Sequence, residues 1–282
     1  MRYIAVPTDF SENAYNALLY ATRLFPNQEY TIILIHSYET EFSTSTSRID
    51  IGRNEELYLE IEQRVSKNFE ALTHKIARDT EGLHVSFETL MTGFPLFKCI
   101  YKLQEEKPVS LIVMGTKGAT GIRQLFMGSQ TIRLIKKIYK LPVIVVPENA
   151  DFTPPKIIAI ATDFKTAIHT HAITTLKDIA TSNDAVIKIT HIYDQKNPED
   201  VFETNYKKIK KSLSDIEYTT HWLSNTSKKE NVLNEFVKKM NVDLLVLTYH
   251  KHSMLQKLFK ENIVENIGFH TSIPLLVFTN TD

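Results

Sequence analysis

Short apolar, β-branched runs recur along the chain at Tyr3–Pro7, Tyr30–His36, Val85–Met91, Leu111–Gly115 and Val143–Val146. They show little polar alternation, the pattern of strands covered on both faces of a sheet. Between them, apolar positions return at helical spacing over about Glu12–Leu24, Asn54–Arg78, Pro95–Gln104 and Ser129–Tyr139. In Asn54–Arg78 the stripe is Leu57, Ile61, Val65, Phe69 and Leu72, the spacing that packing on a sheet demands. Ser11 is placed to cap the first helix, and Pro95 suits the first turn of the third. Strands alternating with helices predict a mostly parallel sheet with right-handed crossovers and helices on both faces.

The pattern then repeats. Ile4-Ala5-Val6-Pro7-Thr8-Asp9-Phe10 returns 154 positions later as Ile158-Ala159-Ile160-Ala161-Thr162-Asp163-Phe164. Ile32–Tyr38 returns as Ile187–Tyr193, Val109–Met114 as Val242–Leu247, and Leu141–Val146 as Ile273–Phe278. Landmarks in one order, with only a slow drift in offset, identify an internal duplication. The second copy predicts strands at Lys156–Ala161, Val186–His191, Glu217–Leu223, Leu244–Leu247 and Leu275–Phe278. Residues 148–155, with Asn149, Asp151, Pro154 and Pro155, read as a linker. The expectation is α/β architecture: two tandem doubly wound domains, residues 1–148 and 155–282.

Composition narrows the function classes. Lys+Arg and Asp+Glu number 33 each, so no global charge points to nucleic acid or to an acidic membrane surface. The single cysteine, Cys99, has no partner for an intramolecular disulfide. There is no signal-peptide pattern and no uninterrupted apolar run of membrane-spanning length, which predicts a cytoplasmic protein.

The chemistry concentrates after the fourth strand. Gly115-Thr116-Lys117-Gly118 is followed by nine residues and then by Gly128-Ser129, which opens a helix. Glycine tolerates left-handed backbone and lets N–H groups close on phosphate oxygens. A helix start aims its free N–H groups and positive dipole end at the same anion, and Lys117 or Arg123 would add charge. Neither a Walker-type loop nor a Rossmann glycine fingerprint is present.

This spacing resembles the universal stress protein family, whose nucleotide-binding members carry Gly-x2-Gly-x9-Gly-(Ser/Thr). Pro7-Thr8-Asp9, His36-Ser37, Gly93-Phe94-Pro95 and Leu141-Pro142-Val143 extend the resemblance over the whole first copy and the skeleton of the second. It implies an open five-stranded sheet in each domain, of order 3-2-1-4-5, with the ligand crevice between the first and fourth strands. It also implies ATP binding, alone or with Mg²⁺, in the first domain. Asp9 would meet the adenine or ribose beside Pro7 and Thr8, Ser37 would touch the base through its backbone, and Met114 would pack beside the nucleoside. Gly115, Gly118, Gly128, Ser129 and Gln130 would hold ribose and phosphates. In isolation, Asp9 reads equally well as a helix cap. The family's single-domain members pair through their last strand. A tandem chain would make that pairing internally as a pseudo-dimer, with or without further homodimerisation.

The second copy lacks this loop: Thr248, Lys251, Glu261 and Asn262 stand where Gly115, Gly118, Gly128 and Ser129 fall. A glutamate at a phosphate position repels the ligand, so no nucleotide is expected there. Histidine is concentrated instead, and Asp163, His169, His250 and His252 are candidate ligands for a Zn²⁺-type ion. Against this, His169 and His171 on one helix splay about 200° apart, so at most one faces such a site. His36 and His191 read as structural. No general base or arginine finger is evident, nor are the loops of carboxylate-activating enzymes of the same fold group. The residues therefore favour a nucleotide-responsive binding or regulatory module with no catalytic residues and at most slow ATP hydrolysis. The alternatives are a nucleotide-free interaction protein or an ATP-dependent enzyme.

Overall fold

The computed structural model describes residues 2–39, 51–116, 128–193, 200–225, 227–249 and 272–279. Among the described residues ten strands form one continuous sheet. β1 (Arg2–Pro7), β2 (Tyr30–Ser37), β3 (Val85–Thr92), β4 (Val109–Gly115) and β5 (Val143–Val146) stand in the order β3-β2-β1-β4-β5. β6 (Ile157–Ala161), β7 (Val186–Tyr193), β8 (Tyr218–Ser224), β9 (Leu244–Tyr249) and β10 (Leu275–Thr279) mirror it as β10-β9-β6-β7-β8. Every neighbouring pair is parallel except β5 and β10, which run antiparallel with Ile144 opposite Leu276.

Two apolar layers sandwich the sheet. On one face lie α1 (Glu12–Arg23), α2 (Ile51–Asp79), α5 (Thr170–Ser182) and α6 (Asp200–Ser212), burying Leu18, Val65, Phe69, Leu176 and Ile209. On the other lie α3 (Leu96–Glu106), α4 (Ser129–Lys137) and α7 (Lys229–Lys239), burying Ile100, Leu134, Ile135 and Phe236. β4, β5, β9 and β10 are buried almost throughout because both faces are covered. The outermost strands β3 and β8 depart from the expected all-apolar reading, with polar positions in each facing solvent. An edge strand needs such positions to discourage further pairing.

Ser11 caps α1 as anticipated, its Oγ accepting from the Ala14 N–H at 3.2 Å. Pro95 stands at the N-cap of α3 rather than in its first turn, with extended ψ, and its carbonyl accepts from Lys98 at 2.9 Å. α4 ends at Lys137, short of Tyr139.

The turn after the first strand is built identically in both halves. The Thr8 Oγ1 accepts from the Phe10 N–H and the Asp9 Oδ1 from the Ser11 N–H, at 3.0 and 3.1 Å. Thr162 and Asp163 do the same for Phe164 and Lys165 at the same distances. Phe10 and Phe164 take left-handed backbone, φ 63° and 56°, which costs about 1–2 kcal/mol for a non-glycine residue. The side-chain acceptors and ring packing offset that strain. Phe10 packs on His36 and Phe69, and Phe164 on His191, Tyr206 and Trp222. His36 and His191 each donate through Nδ1 to the carbonyl of the turn threonine, at 2.8 Å. Both histidines thus serve the turn structurally.

Contacts between the halves reach beyond the strand pair. Arg2 pairs with Asp178, the Gln28 amide donates to the Ser182 Oγ at 2.7 Å, and Tyr20 meets Phe152 of the linker edge-on at 5.2 Å. Asn183, 3% exposed, donates to both the Leu24 and Ile179 carbonyls at 2.9 Å. Replacing it leaves two buried acceptors short of a donor. Asn183→Ala is expected to lower unfolding free energy by about 1–3 kcal/mol in urea denaturation, with an unchanged m-value.

Burial holds His191 below the ordinary histidine range, outweighing its bond to Thr162 and the charge of Asp163. Burial, helped by the Lys188 charge, lowers His221 as well. The unfolded chain therefore binds more protons than the folded one just below about pH 6.5. This stabilisation is complete above that pH and is lost as pH falls toward the folded-state values. Melting temperature should decline between pH 7.5 and 5.5, and His191→Gln should make the decline shallower.

Candidate functional site

The carboxyl ends of β1 and β4 lie side by side, with Ile4 opposite Leu111 and Ala5 opposite Ile112. From β1 the chain proceeds to β2 and β3 on one side, whereas β4 and β5 lie on the other. That reversal opens a crevice at the strand ends. Pro7 ends β1, Thr8 and Asp9 form the turn beyond it, Ser37 ends β2, and Met114 and Gly115 end β4. Gly128 is the N-cap of α4, and Ser129 and Gln130 are its first residues. These positions all fall at one edge of the sheet. Gly118, Lys117 and Arg123 lie outside the described residues.

The stem of the glycine loop is closed. The Thr116 N–H donates to the Val146 carbonyl at 3.0 Å, and the Gly128 N–H returns to the Thr116 carbonyl at 2.5 Å. Thr131, 3% exposed, donates its hydroxyl to the Gly115 carbonyl at 3.1 Å and ties α4 to the end of β4. α4 has no side-chain cap, Ser129 and Gln130 are exposed, and Lys136 and Lys137 occupy its last turn. Its first N–H groups carry the positive end of the helix dipole toward the crevice.

Of the loop glycines among the described residues, neither Gly115 nor Gly128 uses the conformational freedom that the sequence suggested. Gly128 has φ −64°, open to any residue, and among the described glycines only Gly82 has positive φ. Gly115 is constrained by contact instead: a Cβ there would stand 2.5 Å from the Asn13 Oδ1. At the carboxyl ends of the first strands of the two halves, left-handed backbone falls on Phe10 and Phe164, where composition gives no hint of it.

Neighbouring side chains define the remaining chemistry. The Asp9 carboxylate accepts from the Ser11 N–H in the turn before α1; the helix cap is Ser11 and not Asp9, because only the Ser11 side chain reaches an N–H of the first turn. The Ser37 hydroxyl donates to the Phe94 carbonyl at 2.8 Å, and Met114 is 6% exposed within the α3–α4 layer. Arg133 of α4 forms a two-pronged ion pair with Glu39, at 2.9 and 3.3 Å, above the Phe97 ring. This pair, which sequence reading missed, links the helix after β4 to the chain leaving β2.

A separate cleft of about 240 Å³ lies between α1 and α2, lined by Thr8, Phe10, Tyr15, Leu72 and Lys75 among others. Its polar groups engage one another. The Lys75 ammonium sits 3.7 Å from the Tyr15 ring centre and 3.7 Å from Glu12. The Tyr15 hydroxyl donates to Asp79, which holds that carboxyl below its usual range, and burial pushes the Tyr15 phenol well up.

At the corresponding edge of the other half, Asp163 repeats the turn role of Asp9, and His169 is the N-cap of α5 without a side-chain cap bond. His171 is exposed in the first turn. Among the described residues no three of His, Cys, Asp or Glu come together as metal ligands; His250 and His252 lie outside them. Lys251, Glu261 and Asn262 also lie outside. No helix among the described residues is long and apolar enough to cross a membrane.

A sequence model of the universal stress protein family matches residues 1–147. The chain is 29% identical, over 153 residues, to a universal stress protein of Methanocaldococcus jannaschii, a match covering 51% of this chain and 93% of that one. The crystal structure of a universal stress protein from Archaeoglobus fulgidus superposes with a TM-score of 0.65 at 17% identity, covering 99% of this chain and 97% of that one. At that identity the likeness speaks for the fold, and it runs the full length of the sheet. The family match in the first half and the glycine-loop stem at its strand ends agree, and the chain belongs to the universal stress protein family.

Proposed function

We propose that the chain is a nucleotide-responsive regulatory module that binds ATP at the crevice between β1 and β4. The observation that carries this reading is the closed stem at Thr116 and Gly128, which presents the uncapped start of α4 at the strand-order reversal. An anion placed there meets the backbone N–H groups of the helix start and the positive end of a helix dipole. Gly128 supports the same reading, because its backbone angles would admit any residue. The glycine keeps a side chain away from the helix start rather than meeting a conformational need.

In this reading residues 1–148 form the nucleotide-binding domain and residues 155–282 a pairing domain of the same fold that binds no nucleotide. The antiparallel β5–β10 pair supports describing the chain as an internal pseudo-dimer. Pro7, Thr8 and Asp9 would border the nucleoside with Ser37 and Met114. Gly115, Gly118, Gly128, Ser129 and Gln130 would surround the phosphates, with Mg²⁺ as a companion ion. None of these residues is a poised general base, so the module works by binding, in the cytoplasm, during a stress response. One observation favours a nucleotide-free reading instead: the glycine at 115 is already required by Asn13, whatever the ligand.

Thermal denaturation separates the two. ATP at a hundredfold excess over its dissociation constant should raise the melting temperature by about 5–10 °C, and GTP should not. Gly128→Glu, which introduces the second half's residue at an angle that tolerates it, should abolish the shift and move the ligand-free melting point by no more than about 2 °C. A wild-type protein freed of nucleotide that shows no response to ATP would establish the nucleotide-free reading.

A further inference from the structure

We propose that Asn13 is the positioning residue of the glycine loop and the reason that position 115 is glycine. Asn13 sits in the first turn of α1 and is 5% exposed. Its Nδ2 donates to the Val146 carbonyl at 3.2 Å, the same carbonyl that accepts from the Thr116 N–H at 3.0 Å. Its Oδ1 accepts from the Thr116 hydroxyl at 3.4 Å. One buried amide therefore joins the start of α1, the first residue of the loop stem and the last rung of the β4–β5 ladder, where Gly115 stands opposite Val146.

The amide reaches this position only because Gly115 has no side chain. A Cβ at 115 would lie 2.5 Å from Oδ1, 2.7 Å from Cγ and 3.1 Å from the Asn13 carbonyl. The first two distances require the Asn13 amide to move, and the third, to a helix carbonyl, is tight enough that the backbone must give by a few tenths of an ångström. The other half shows the complementary solution. The residue matching Gly115 there is Thr248, buried at the next-to-last position of β9, and α5 begins only at Thr170, with no asparagine between Lys165 and His169. The side chain at the strand end and the asparagine are alternatives, and each half has one. The first glycine of the spacing motif thus reports an internal packing contact, and Asn13 transmits it to the loop.

The consequence for binding rests on the nucleotide reading above, whereas the packing claim does not. A double-mutant cycle decides both: wild type, Asn13→Ala, Gly115→Ala and the double variant, each followed by thermal melting and by ATP calorimetry. Gly115→Ala should lower the melting temperature by about 5 °C when Asn13 is present and by clearly less when it is alanine. Equal losses in both backgrounds would overturn the packing claim. Asn13→Ala should weaken ATP binding about tenfold. Asn183→Ala, destabilised elsewhere, should bind ATP as wild type does, which separates positioning from general loss of stability. Wild-type affinity in Asn13→Ala would overturn the positioning role. Asn13→Ser serves the same cycle if the alanine variant does not fold. If wild type itself binds no ATP, the nucleotide reading fails, and the melting temperatures still decide why residue 115 is glycine.

Discussion

The antiparallel pairing of β5 with β10 is the contact on which the architecture depends. Val143–Val146 and Leu275–Thr279 are short, apolar and buried on both faces. Left as free edges, each would offer unpaired backbone groups on a hydrophobic strand, a template for uncontrolled association. Joined, they place the most apolar strands at the centre of a ten-stranded sheet and leave β3 and β8, with their polar positions, at its margins. The ordering of polarity across the sheet follows from that one pairing. The buried amide of Asn183 and the Thr279 hydroxyl, which donates to the Leu141 carbonyl at 3.1 Å, extend the same seam.

The two halves share a frame and differ at the periphery. The Thr-Asp-Phe turn and its histidine recur with matching hydrogen bonds in both halves, because a left-handed phenylalanine needs the same support wherever it occurs. The covering helices diverged: α2 has 29 residues and α6 has 13. Opposite His36 the adjacent strand carries Met91, and opposite His191 it carries Trp222, whose ring reaches Phe164 and Tyr206. A larger side chain there supplies cover that the shorter helix does not.

The ends of β4 and β9 are packed differently in the two halves. In the first, an amide fills the space beside a glycine and closes hydrogen bonds to Thr116 and Val146. In the second, the matching position is the buried Thr248, opposite Phe278, and the helix after β6 starts only at Thr170. The difference is local, and the surrounding sheet registers are unaffected.

The strands, the helices and the repeated pattern of the two halves were legible in the sequence. Each of these is written in local periodicity, in turn residues, or in a repeat visible on inspection. Ser11 was legible because it acts on an atom three positions away, the Ala14 N–H. The tertiary structure decided what depends on distant partners: the Arg133–Glu39 bridge, the exposure of β3 and β8, the positive φ of Phe10, and the bond from Asn13 to Val146. It also reassigned Gly115 from a backbone requirement to a steric one. A glycine's spacing announces that a side chain is unwelcome. Only the packed neighbour, more than a hundred residues away in sequence, shows what excludes it.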